Sequence, residues 1–72
     1  MIEVGDPVII VNAEGLEKHK IKKGDKGWAS NVVSMPDGQH LVFFTPDDIR
    51  ACFVMTSDRV KIDEERKELK GD

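Results

Sequence analysis

Nucleophilic catalysis would need a thiol beside a base, and the chain offers one cysteine and two histidines for it. Cys52 is the candidate nucleophile, and His19 or His40 is the candidate base. Cys52 lies within the apolar segment 51–55, where a small buried thiol is the ordinary occupant. Neither histidine stands at a recognisable spacing from it. We therefore predict no catalytic residue and a protein that is not an enzyme.

Carboxylates and metal ligands give no stronger signal. Asp47–Asp48 and Glu64–Glu65 are adjacent pairs, whereas general acid–base catalysis needs two carboxylates in different environments across a cleft. The separate histidines and scattered acids match no metal-ligand spacing. The Gly24–Gly27 turn lacks the residues of a phosphate-binding loop. The sequence therefore predicts no metal site and no cofactor.

Nucleic-acid binding rests on the lysine-rich segment 14–26 and on the tryptophan that follows it. Lysines neutralise phosphates, and an indole ring can stack on a base. The whole chain nevertheless has a formal net charge of −3, unlike the basic balance of typical nucleic-acid-binding domains. RNA or DNA binding is therefore the alternative function, beside the interpretation of a solvated loop and a tryptophan packed in the core. Its candidate residues are Lys18, Lys20, Lys22, Lys23, Lys26 and Trp28.

Protein binding rests on two segments that are apolar on both strand faces, 42–44 and 51–55. A half-buried antiparallel strand alternates apolar with polar residues, so about half of these side chains should lie outside. A contiguous apolar patch on the surface marks a partner site. Aromatic residues and methionine are favoured at interface centres. The candidates are Phe43 or Phe44, whichever of the two lies outside, together with Met35 and Met55. Coverage of this face by the tail or long loop, and self-association through an edge strand, stay open as alternatives.

Five short strands are predicted to position these residues. Turn signals at 5–7, 23–27, 35–39 and 45–48 separate the apolar segments, and 56–59 is typical of a single helical turn. Leu16 and Ile21 are the only large apolar anchors of the long polar loop. The sequence predicts an all-β domain over residues 1–62 and a charged tail over 63–72, either a frayed helix or a disordered chain. The predicted strands are 8–11, 27–33, 40–44, 49–55 and 60–62.

The segments Val4–Val11 and Ile21–Ala29 resemble the opening of small SH3-like β-barrels. That broad group includes KOW-type modules and small barrel accessory subunits of larger complexes. In it, a Gly-Asp-x-Val strand leads through a long loop to a Lys-x-Gly-x-x-Gly turn and the second strand. A short 3₁₀ turn precedes the last strand, and Thr56–Arg59 is similar to it. The resemblance implies a small five-stranded SH3-like barrel.

Chain length and composition limit the functions that we expect. A chain of 72 residues has too small a core to enclose a large active site. The single cysteine indicates a reducing compartment, and the short apolar runs predict neither a membrane span nor a secretory signal. We therefore predict a cytoplasmic, non-catalytic accessory or regulatory module that docks on a larger protein or complex, with nucleic-acid binding as the alternative.

Overall fold

The computed structural model describes residues 1–70, with side chains as far as Glu68. Five strands form one antiparallel sheet in the order β4-β3-β2-β1-β5, which confirms the all-β prediction. Two 3₁₀ turns, Glu17–His19 and Ser57–Arg59, interrupt the connections, and helix α1, Glu64–Lys70, follows the last strand. The predicted tail thus begins as a helix, and its residues 71 and 72 lie outside the described residues. The strands are β1 Pro7–Ile10, β2 Lys26–Ser34, β3 His40–Pro46, β4 Phe53–Thr56 and β5 Val60–Ile62.

The connection between β4 and β5 bends the sheet. These two strands lie at opposite ends of the strand order, yet only Ser57–Arg59 separates them in the chain. The backbone from Thr56 to Val60 can reach at most about 14 Å, whereas the outer strands of a flat five-stranded sheet would lie about 19 Å apart. The sheet must therefore curl so that its edges approach each other. No backbone pairing joins β4 to β5 within residues 1–70, so the curled sheet is not closed.

Two strand boundaries differ from the prediction by more than one residue. Strand β3 continues through Thr45 and Pro46, which pair with Trp28 and Gly27; a turn was expected there. Strand β4 begins only at Phe53, because the preceding residues are held by a local bond from the Ala51 N–H to the Ile49 carbonyl. The register of β2 against β3 shifts between Ala29 and Asn31, which makes Ser30 the extra residue of a β-bulge.

The β2–β3 hairpin confirms its turn signal. The Met35 N–H bonds to the Gln39 carbonyl at 2.7 Å, and the Asp37 carboxylate accepts the Gln39 N–H at 3.0 Å. Gly38 adopts a φ of 91°, a left-handed conformation that costs glycine little. Proline, aspartate and glycine at these positions therefore specify the turn.

The hydrophobic core lies inside the curl. Phe44 is fully buried there, and its ring occupies the space where a side chain at position 27 would project. A Cβ atom on Gly27 would lie 2.7 Å from the Phe44 ring and would also meet the Thr45 carbonyl, so only glycine fits. Ile21 anchors the long loop in this core as predicted, and Leu16 packs against it. The buried apolar residues are Val8, Ile10, Ile21, Ala29, Val42, Phe44, Met55 and Val60.

Adjacent phenylalanines should differ sharply in their contribution to stability. Phe44→Ala would remove a fully buried ring and lower the free energy of unfolding by about 3–5 kcal/mol. Phe43→Ala, the matched control on the opposite strand face, should cost about 1 kcal/mol. Urea denaturation monitored by circular dichroism checks both values. Equal midpoints for the two variants would contradict the assigned strand faces.

Candidate binding surfaces

Four apolar side chains share the outer face of the β2–β3–β4 hairpins. Directly paired strand residues project to the same side of a sheet. Val33 pairs with Leu41, and Phe43 pairs with Val54. Leu41 and Phe43 are two residues apart on β3 and are only half-buried, and Val54 is 51% exposed. We call Val33, Leu41, Phe43 and Val54 the outer apolar surface.

Three of the candidate partner-binding residues, Met35, Phe44 and Met55, do not belong to this surface. Met55 is 4% exposed, so its prediction as an exposed residue is wrong. Phe44 is 0% exposed, so Phe43 is the one of the two phenylalanines that lies outside. Phe44 and Met55 both follow the period of their strands, which places alternate residues of β3 and β4 in the core. Phe43 lies on the outer face, and Met35 is exposed in the hairpin turn beyond β2.

The candidate lysines are all exposed, but carboxylates lie close to some of them. Three of them, Lys20, Lys22 and Lys26, line a groove of about 230 Å³ together with Asp25, Asp47 and Asp48. Lys18 and Lys23 do not line it. Equal numbers of lysines and carboxylates offset each other within this groove, which reduces its attraction for a phosphate backbone.

A further lysine joins this side of the sheet through strand register. Ile9 on β1 pairs with Lys26 on one side and with Lys61 on the other. The three side chains therefore form a row across β2, β1 and β5. Residue spacing does not reveal Lys61, because only the pairing of β1 with β5 brings it there.

Trp28 lies on the outer face, in register with Pro7 and Thr45. It is half-buried, and a residue of α1 covers part of its ring. The guanidinium carbon of Arg66 lies 4.2 Å from the centre of the indole ring, within the range of a cation–π contact. Arg66 also forms an ion pair with Asp47 at 3.2 Å. The indole face that would stack on a base is therefore in contact with an arginine of the same chain.

Asp63 joins α1 to the sheet. Its backbone N–H donates to the Pro7 carbonyl at 2.8 Å, and its Oδ1 atom accepts the Arg66 N–H at 3.3 Å as a helix N-cap. Asp63 is 3% exposed, and its Oδ2 atom has no hydrogen-bond partner among the described residues. A cap residue followed by acids and then by basic residues is a signal for a helix start. The sequence therefore indicated this helix, but not that it would pack on the sheet.

Cys52 and the two histidines have separate partners in the structure. Cys52 is exposed, which corrects the expectation of a buried thiol, and its sulfur lies 3.5 Å from the Ser30 hydroxyl. The His19 ring packs against Phe53 with centroids 5.2 Å apart. The His40 Nδ1 atom lies 3.1 Å from the Ser34 hydroxyl. Neither imidazole contacts the Cys52 thiol.

An apolar pocket of about 340 Å³ lies beside His40. Met1 and Ile2 line it together with Val32, Val42 and Ser57. Its lining is suited to a small apolar group. No three metal-ligating side chains cluster among residues 1–70.

Comparison with protein-family models, with curated proteins and with solved structures found no match to this chain. In the part of the chain that the structure describes, no helix is long and apolar enough to cross a membrane.

The cap at Asp63 gives a test of how α1 is held. Asp63→Ser keeps an oxygen that can accept the Arg66 N–H, whereas Asp63→Ala removes it. We expect the alanine variant to be less stable than the serine variant by about 1 kcal/mol. Urea denaturation monitored at 222 nm measures the difference. Identical unfolding curves for the two variants would show that the cap does not hold the helix.

Proposed function

We propose that the protein is a small, non-catalytic accessory or regulatory module that docks onto a larger protein through the outer apolar surface. The observation that carries this proposal is the exposed Val54, paired with the half-buried Phe43. An antiparallel sheet with one face in water normally carries polar residues on that face. Here β3 presents Leu41 and Phe43 at outward positions instead.

Burial of this surface would supply a substantial driving force. Removing a large apolar side chain from water contributes about 1.5–3 kcal/mol. Phe43 and Val54 lie side by side, so one partner side chain could cover both. The neighbouring β4 is an edge strand of the sheet, and an edge strand also offers backbone hydrogen bonds to a partner.

The fold that we propose for this module is an SH3-like barrel, of the kind found in KOW-type modules and small accessory subunits. The strand order, the curl imposed between β4 and β5, and the 3₁₀ turn before β5 support it. The same barrel hosts many unrelated functions. The docking proposal therefore rests on the outer apolar surface and not on the fold.

The charge of the chain bears on the class of partner. A formal net charge of −3 favours approach of a basic protein and disfavours a nucleic acid. The one cysteine, Cys52, is compatible with the reducing cytoplasm that we propose as the compartment. Nucleic-acid binding through the lysines is less well supported, because carboxylates line the same groove and Arg66 contacts the Trp28 ring.

Val54→Glu tests the docking surface. Position 54 is half exposed, so the fold should tolerate the change, with a loss of less than about 1 kcal/mol in unfolding free energy. A charge placed within an apolar interface should weaken partner binding by tenfold or more. Pull-down of tagged protein from a lysate of the source cells, with and without nuclease, measures the binding.

Lys61→Gln is the matched control, because it changes the net charge by the same single unit at an exposed strand position away from the outer apolar surface. We expect a discrete protein that both the wild type and Lys61→Gln capture after nuclease treatment, and that Val54→Glu does not. Capture that survives in a folded Val54→Glu variant would overturn the proposal. Light scattering of the purified protein identifies the case in which the partner is a second copy.

A further inference from the structure

Two neighbouring cationic residues of α1 each contact a carboxylate of the sheet. Arg66 pairs with Asp47 at 3.2 Å, and Lys67 pairs with Asp6 at 3.5 Å. Arg66 also lies over the Trp28 ring. The sheet thus presents an indole ring flanked by two carboxylates, and an Arg-Lys dipeptide occupies it. We call Trp28, Asp47 and Asp6 the cation surface.

The two carboxylates of the cation surface are held to different extents. The side chain of Asp6 is 13% exposed, and its Oδ2 atom accepts the Glu3 N–H at 2.9 Å, a bond that does not depend on α1. Asp47 follows the end of β3, where its backbone N–H donates to the Lys26 carbonyl at 3.1 Å, while its carboxylate is 38% exposed and pairs with Arg66. The fold therefore orients the Asp6 carboxylate and places the backbone of Asp47 before a cation binds, which lowers the cost of binding.

The cation surface continues into a groove that α1 does not account for. The groove has a volume of about 450 Å³, and Trp28 and Asp47 belong to its lining. The exposed residue Asp48 also lines it, between Pro46 and Ile49, and Arg50 lies at the same groove. A chain that continues beyond the first Arg-Lys pair would therefore find apolar contacts and a second carboxylate, with one cation beside it.

Helix α1 is an occupant that can be displaced. It has seven residues, fewer than an isolated helix needs for stability in water. The Lys67 side chain is 45% exposed, and exposed ion pairs contribute about 0–1 kcal/mol. A basic segment with similar contacts can therefore compete with it.

We propose that the cation surface binds a basic, Arg-Lys-containing segment of a partner protein, and that α1 is the internal occupant which this segment displaces. The surface is distinct from the outer apolar surface, so this interaction goes beyond the docking function proposed above. Its chemistry is recognition of a guanidinium by an indole face and a carboxylate.

Trp28 is the only tryptophan of the chain, so its fluorescence reports directly on the cation surface. We would titrate the full-length protein with the peptide acetyl-Gly-Arg-Lys-Gly-Arg-Lys-Gly-amide. If α1 is docked about 90% of the time, Arg66→Ala should tighten peptide binding about tenfold, because it weakens the competitor. Adding Asp47→Asn to that variant should reverse the gain.

Lys23→Ala is the matched control. It removes one positive charge, as Arg66→Ala does, from an exposed loop residue that does not line the groove. It should therefore bind the peptide with nearly the wild-type affinity. Circular dichroism establishes that each variant is folded. A peptide in which alanine replaces both arginines should bind at least tenfold more weakly to Arg66→Ala than the parent peptide does.

Equal peptide affinities for the wild type and Arg66→Ala would overturn the proposal, and so would equal tightening by Arg66→Ala and Lys23→Ala. An eight-nucleotide oligothymidylate that quenches Trp28 in Arg66→Ala, where the peptide does not bind, would overturn it in favour of a nucleic-acid ligand. The docking function is tested separately at Val54, so its failure would leave the peptide titration unaffected.

Discussion

The structure depends on one steric constraint, the short link between β4 and β5. A three-residue 3₁₀ turn connects the two edge strands of the sheet, so the sheet has to curl around its own side chains. The curl creates the inner face on which eight apolar residues pack. It also explains why glycine stands at position 27, where the Phe44 ring fills the inside of the bend. A chain this small buries a limited fraction of its surface, and one well-filled interior uses most of its large apolar residues.

The side chains that do not pack in the core form the binding surfaces. Side chains alternate between the two faces of a strand, which places three apolar residues outside: Leu41, Phe43 and Val54. On the same outer side, Thr45 continues the row of β3 residues toward α1, and its partner Trp28 lies beside it on β2. The two proposed binding surfaces are therefore neighbours along β3, and residues 41 to 45 span only about 13 Å. One partner protein of ordinary interface size could contact both.

The sequence predicts the structure best where the residues of a short segment determine its backbone conformation. The Met35–Gln39 turn was predictable because proline, aspartate and glycine each have a conformational role there, and Ile21 stood out as an apolar residue in a polar loop. Continuous apolar segments gave no period, so the inward direction of Phe44 and Met55 was not determined by the sequence. The contacts of Arg66 with Trp28, and of Ile9 with Lys61, depend on pairing between distant segments. No local pattern encodes them.

The bulge at Ser30 determines how the nine residues of β2 are divided between the two sides of the sheet. Before it, odd-numbered residues such as Ala29 face the core; after it, Val32 faces the core and Val33 faces water. One strand thereby contributes both Trp28 and Val33 to the outer side, which a regular strand cannot do with residues of opposite parity. The alternation of inward and outward side chains along β2 therefore shifts by one residue at Ser30. The number of residues between Trp28 and Val33 therefore cannot change by one without turning one of these two side chains away from the outer side.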